Sequence, residues 1–254
     1  MIWAMAVRNL KQQYVGSVLG VLWSVVYPLF EVAIYWFVFG FIMARGKLDA
    51  FYGTESFLLF LLCGLIPFQF FAGAVGQSTT SIVSNQNLVK KAVGFPTEIL
   101  PIVTITTQLI DHFIGVGLIF LAVVLFKGGI TIYALSFVIY LFLITVFMTG
   151  LTWITSSINI YVRDMGKVIA LALRLLFFLT PIVYSPGIVP EGIIKTVFKL
   201  NPLYHLVEGY RYAFLVGEFM PVESFVYLFF ISFLFLGIGG IIFRKLKPGF
   251  AEVL

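Results

Sequence analysis

Three side chains carry charge inside stretches that are otherwise apolar: Glu31, Asp111 and Arg174. A charge at the centre of a bilayer costs about 2.5–3.5 kcal/mol or more, so such groups pair with one another or face water. Two uses are open. Arg174 can answer Glu31 or Asp111 in an ion-pair network, or a carboxylate can carry a proton for a coupled carrier. Neutral polar groups add three stripes at helical spacing: Gln69, Gly73, Gln77, Thr80 and Ser84; Thr104, Gln108, Asp111 and Gly115; Thr145, Thr149, Thr152, Ser156 and Asn159. Small and hydroxyl residues let helix backbones approach, and the same residues can wall a hydrated conduit. Three stripes in one chain favour a conduit for some of them. Trp23, Tyr27, Phe30, Tyr35 and Trp36 crowd one segment. Aromatic faces stack on sugar rings, so neutral polar walls with aromatic rungs suit a glycan better than an ion.

Several chemistries have no residues to carry them. The chain has no G-x-x-x-x-G-K-[ST] phosphate loop, no H-E-x-x-H and no G-x-S-x-G. It therefore cannot hydrolyse ATP by itself. His112 and His205 stand far apart in the sequence and make a poor metal site, and the single Cys63 excludes a disulfide framework or a thiol cluster. A membrane enzyme needs a cluster of His, Asp or Glu near one face, which these histidines do not supply. No catalytic residue, cofactor-binding residue or metal ligand is expected.

The elements that must position the stripes follow from composition. Of 254 residues, 61% are hydrophobic and 11% charged, against about 45–50% and about 25% in soluble domains. Bilayer is the only solvent for such a surface. A crossing takes about 20 residues, and six runs qualify: 18–44, 57–81, 98–126, 130–161, 168–184 and 223–244. The first is far longer than the roughly 7–15 apolar residues of a signal peptide and no cleavage pattern closes it, so it is retained. The net charge of +5 is dispersed between apolar runs, which is no signature of nucleic-acid binding.

Shorter segments flank these runs. Residues 1–14 set Trp3, Val7, Leu10 and Tyr14 on one face and Arg8, Lys11 and Gln12 elsewhere, as an amphipathic helix lying on the membrane does. In residues 85–96, Leu88, Ala92 and Phe95 fall at i, i+4 and i+7 with Lys90 and Lys91 off that face. That pattern fits a helix resting on headgroups or a knob fitting a partner's groove. Before the last run, Ile193, Val197 and Leu200 share a face until Asn201-Pro202 stops the helix. Leu203, Val207, Tyr210 and Phe214 then start a second short helix, in which Glu208 is spaced to pair with Arg211. Neither piece can cross a bilayer; a surface or re-entrant pair fits better. With both termini inside, nine basic residues (Arg8, Lys11, Lys90, Lys91, Arg163, Lys167, Arg244, Lys245, Lys247) face the cytoplasm against six outside. Three of those six lie in the long outer loop, which counts for little, so this orientation is favoured.

Five blocks together resemble a known family. They are Leu19-Gly20-Val21-Leu22-Trp23 with Tyr27-Pro28-Leu29; Phe95-Pro96-Thr97-Glu98-Ile99-Leu100-Pro101; Asn159-Ile160-Tyr161-Val162-Arg163-Asp164; Thr180-Pro181-Ile182-Val183-Tyr184-Ser185; and Leu200-Asn201-Pro202-Leu203 with Glu208 and Arg211. In order and extent they are similar to ABC-2-type permeases that export polysaccharides, the lipopolysaccharide O-antigen permeases first, with capsule and teichoic-acid exporters as near relatives. The resemblance implies one all-α membrane domain over 1–254, with six transmembrane helices and both termini in the cytoplasm. It implies a multi-pass homodimer in the bacterial inner membrane, among membrane lipids, moving a lipid-linked polysaccharide. Two copies of a separate ATP-binding subunit would bind ATP and Mg. Residues 1–16 would be an interfacial gate helix with Trp3 and Tyr14. Residues 85–96 would be a cytoplasmic coupling helix that inserts into the ATPase through Leu88, Lys90, Lys91, Ala92 and Phe95, with Arg163 and Asp164 as a secondary contact. Residues 185–219 would be two short re-entrant periplasmic helices at the exit, with Asn201, Pro202 and Tyr204 at the gate. The substrate path expected from the stripes and aromatics runs along Trp23, Tyr27, Phe30, Gln77, Thr149, Thr152 and Ser156. Thr97 stands where the family often has a basic residue, so no ion pair is assigned there.

Overall fold

The computed structural model describes residues 1–42, 56–91 and 95–254, and among them every regular element is a helix. In chain order these are α1 (Ile2–Tyr14), α2 (Trp23–Tyr35, continued by a π-helical Trp36–Ile42), α3 (Phe57–Ser84), α4 (Gln86–Lys91), α5 (Ile99–Lys127) and α6 (Phe137–Tyr161). There follow α7 (Met165–Leu179), α8 (Ile193–Lys199), α9 (Pro202–Arg211, continued by a π-helical Tyr212–Val216), α10 (Val222–Leu246) and α11 (Phe250–Val253). Among the described residues, five stretches are long and apolar enough to cross a membrane: Trp23–Phe41, Phe57–Ser84, Ile99–Lys127, Ile132–Tyr161 and Val222–Gly249.

Helix α3 is the axle. In its most apolar window 78% of residues are buried, against 11% for the stretch that begins at Trp23, so α2 hangs on the outside of the bundle. Helices α5, α6, α7 and α9 all pack on α3. The tightest contact is between α6 and α10, where Gly150 and Gly239 face each other. A Cβ on Gly150 would strike the backbone at Phe235, and one on Gly239 the carbonyl of Gly150. Small residues here let two backbones touch, which is how apolar helices associate where lipid removes the hydrophobic drive.

The fifth apolar run differs from its sequence reading. Instead of a helix over 168–184, α7 has 15 residues, about 22 Å at 1.5 Å per residue and short of a hydrocarbon core of about 30 Å. Pro181 has no amide hydrogen and biases Thr180 toward extended backbone; Thr180 sits at φ −108°, ψ 131°. Residues 180–183 are nonetheless buried. Their freed polar groups find partners in α9 and its cap: Arg211 Nη2 donates to the Ile182 carbonyl at 3.1 Å, and Asn201 Nδ2 donates to Thr180 Oγ1 at 2.8 Å and to the Leu179 carbonyl at 3.3 Å. Irregular backbone away from water survives only when protein supplies such partners.

The two short helices after α7 are not equivalent. None of α8 is buried, whereas in α9 Leu203, Leu206, Val207 and Tyr210 are at most 1% exposed. Asn201 starts α9 by accepting the Leu203 N–H at 3.0 Å, with Pro202 in the first turn where a missing N–H costs nothing. Near the other end, a small cluster of Ile82, Leu100, Ile160, Phe243 and Phe250 gathers Met5 and Leu254, so both chain termini lie at one end of the bundle.

Candidate functional site: a polar cavity between α2, α3 and α5

Two of the three stripes face each other. Gln69, Gly73 and Gln77 on α3 look across at Gln108, Asp111 and Gly115 on α5, and α2 adds Ser24, Tyr27 and Glu31, enclosing a cavity of about 750 Å³. Trp23, Tyr35 and Phe177 supply aromatic surface to the same cavity. A second space of about 520 Å³ continues it toward the termini. Asn9 and Gln12 of α1 wall one side, Thr80, Ser81 and Ser84 of α3 another, and Thr104 and Thr107 of α5 a third; Gln13 and Gln77 line both cavities. Helix α1 thus turns Asn9, Gln12 and Gln13 toward the bundle and leaves Trp3 65% exposed. Its anchor is Ala6, fully buried against α5.

The glycine in the stripe has a physical cause. A Cβ on Gly73 would sit 2.6 Å from Gln108 Oε1, so any other residue would push that amide away from the wall it forms.

Neutral donors from the cavity's own wall serve the carboxylates. Ser24 Oγ donates to Asp111 Oδ1 at 2.9 Å, Tyr27 Oη donates to Glu31 at 3.1 Å, and the Gln69 amide donates to Glu31 as well. Arg174 does not answer them. It is exposed on the outer face of α7, and among the described residues it pairs with neither carboxylate. Among the described residues, hydrogen bonds from neutral groups reach both carboxylates instead of Arg174. Among the described residues a buried ion pair joins Arg211 to Glu208 at 3.0 Å, with the guanidinium lying 3.5 Å above the Phe60 ring centroid. His112 also lines the cavity; its Nε2 lies 2.7 Å from Tyr210 Oη, and its ring stacks on Phe70 at 4.7 Å.

The third stripe stays apart from this space. Thr145 and Thr149 return their hydroxyls to the carbonyls of Leu141 and Thr145 at 2.7 and 2.8 Å. Thr152 and Ser156 are fully buried, and Asn159 accepts the Gly166 N–H at 3.3 Å. None of the three expected path residues here, Thr149, Thr152 and Ser156, lines either cavity. Of the others, Trp23, Tyr27 and Gln77 do, while Phe30 is 67% exposed away from them.

A family model described as "ABC-2 type transporter" matches residues 1–215. The chain belongs to the ABC-2 type transporter family. It is 31% identical over 97% of its length to the "O-antigen export system permease protein RfbA" of Klebsiella pneumoniae, covering 92% of that protein. A protein of the same name from Myxococcus xanthus is 26% identical over 96% of this chain and 92% of its own. The "Polysialic acid transport protein KpsM" of Escherichia coli is 28% identical over 95% of this chain and 91% of its own.

In this ABC-2 chain the candidate docking residues gather at the termini-bearing end. Lys90 is exposed on α4 and Leu88 half-buried, while Val89 and Phe95 turn inward onto the small cluster. Ala92 and the side chains of Lys91 and Tyr14 lie outside the described residues. Arg163 and Asp164 stand exposed in the turn between α6 and α7, where Lys167 Nζ meets Asp164 at 3.0 Å. Asn201 and Pro202 start α9, with Tyr204 half-buried beside them.

Sequence reasoning missed a clasp at this end. Lys247 Nζ lies 2.7 Å from Glu98 Oε2, and Trp153 Nε1 donates to the Glu98 carbonyl at 3.1 Å. Partial burial works against the Glu98 charge, but the Lys247 hydrogen bond, a backbone N–H and the Lys247 charge together outweigh it and hold the carboxyl below the usual glutamate range. The partners are 149 residues apart, and no local spacing signals them.

Proposed function

We propose that the chain is the permease subunit of an ATP-driven exporter, moving a lipid-linked, O-antigen-like polysaccharide across the bacterial inner membrane. What carries this reading is the continuous wall of amides and hydroxyls from Asn9 to Glu31, suited to a hydroxyl-rich polymer, in a chain that matches polysaccharide permeases along almost its whole length. Two copies form the conduit, since closed two-fold pairing is the commonest way to enlarge a path, and two separate ATP-binding subunits, holding ATP and Mg, supply the energy. In this reading α7 and the turn at residues 180–184 together make the sixth crossing. The termini then share the cytoplasmic side, residues 1–16 form an interfacial gate, 85–96 couple to the ATPase and 185–219 form the exit. Capsule or teichoic-acid export is the nearest variant.

A proton-coupled carrier is the second reading, because Glu31 and Asp111 line the same cavity. Reconstitution in lipid vesicles separates the two. Lipid-linked glycan should move only with ATP and the partner ATPase, and Leu88→Asp should abolish ATPase stimulation while the permease stays folded. Glycan movement down a proton gradient without any ATPase, lost in Asp111→Asn, would establish the carrier instead.

A further inference from the structure

We infer that the cavity is built for an uncharged glycan and turns polyanionic ones away. The inference rests on reading the two cavities as the glycan path and adds the charge class of the cargo, which the relatives leave open, since one is named for polysialic acid, a polyanion.

The charges of the wall carry the argument. Among the described residues that line the two cavities there is no lysine or arginine, and the charged side chains are Glu31 and Asp111. The donors beside them are committed: Gln69 and Tyr27 to Glu31, and Ser24 to Asp111. An incoming carboxylate or phosphate would leave water, meet two like charges, and find those donors engaged. Like charges brought together out of water are a common means of excluding a wrong partner. Arg174, one turn before Phe177, is exposed and outside the lining.

A neutral sugar meets the opposite situation. Gln77, Gln108, Thr80 and Thr104 both donate and accept, Trp23, Tyr27 and Tyr35 offer ring faces, and both volumes fall in the range of pockets that enclose drug-sized ligands. Carboxylates also accept from sugar hydroxyls, so Glu31 and Asp111 aid a polyol while opposing an anion.

The test uses the full chain with its partner ATPase in nanodiscs. Two fluorescently labelled probes of equal length are compared, a mannose oligosaccharide and oligosialic acid. The mannose oligomer should bind at least tenfold more tightly, and Glu31→Gln with Asp111→Asn should narrow that ratio at least fivefold. Raising salt should narrow it in wild type, as screening of like charges requires. Equal affinity of wild type for both probes, or an unchanged ratio in the double variant, would overturn the charge filter while leaving the path intact. Binding of neither probe would bring down the path and the filter together.

Discussion

Arg211 donates to the carbonyl oxygen of Ile182 at 3.1 Å, 29 residues away along the chain, while its other terminal nitrogen meets Glu208 at 3.0 Å. One side chain thereby joins α9 to the broken end of α7, and it is 0% exposed. The break at Thr180-Pro181 and the helix at 202–211 are parts of one device: the first frees backbone groups and the second satisfies them.

Arg211→Met should therefore cost about 3–5 kcal/mol, because it leaves Glu208 buried without its cation. Glu208→Leu with Arg211→Met should cost less, about 1–3 kcal/mol, from the orphaned Ile182 carbonyl. Thermal unfolding in detergent, followed by size-exclusion fluorescence, measures both. A double variant no more stable than the single would mean the ion pair is not what Arg211 chiefly serves.

Gly150→Val should separate α6 from α10, since its side chain meets backbone that cannot yield. The expected loss is about 1–3 kcal/mol or more. Gly237→Ala is the control, because nothing lies within 4 Å of a Cβ there. Equal melting temperatures for the two variants would refute the close contact.

Gly73→Ala tests the cavity. Only the free end of Gln108 must move, so stability should change by about 1 kcal/mol or less. Glycan export should fall, because the displaced amide enters the path. Adding Gln108→Ala should restore export, and a failure to do so would detach the cavity from transport.

The Glu98–Lys247 clasp should show a pH dependence. The folded carboxyl titrates below its unfolded value, so its contribution is present above about pH 4.3 and fades as pH falls through the lower folded value. Both side chains are about two-fifths exposed, which limits the worth to about 0–1 kcal/mol. The melting difference between wild type and Lys247→Met should be small at pH 7 and shrink as pH falls below about 4.3; a difference that grows on acidification would contradict the pair.

Local pattern carried much of this molecule. The spacing of Gln69, Gly73 and Gln77, and of Gln108, Asp111 and Gly115, marked polar faces that do look at one another, because a helix fixes which side chains share a side. The same spacing left Thr149, Thr152 and Ser156 outside both cavities. Threonine and serine can return their hydroxyls to the preceding turn, so a hydroxyl stripe reads alike whether it lines water or packs on a neighbour. For α1 the periodicity gave the faces but not their aim: Asn9 and Gln13 turn toward the bundle and Trp3 away.

The sequence by itself determined that this is an apolar, all-helical chain for a bilayer, that a helix boundary falls at Asn201-Pro202, and that Glu208 and Arg211 stand within reach. These follow from short-range constraints of backbone torsion and side-chain polarity. Only the tertiary structure decided that α9 is core while α8 is surface, that Arg211 repairs the end of α7, that Arg174 turns away from Glu31 and Asp111, and that Glu98 meets Lys247. Each of those depends on which helix lies against which. Apolar helices in lipid carry little in their composition to choose a neighbour; close packing and a few buried polar contacts make the choice.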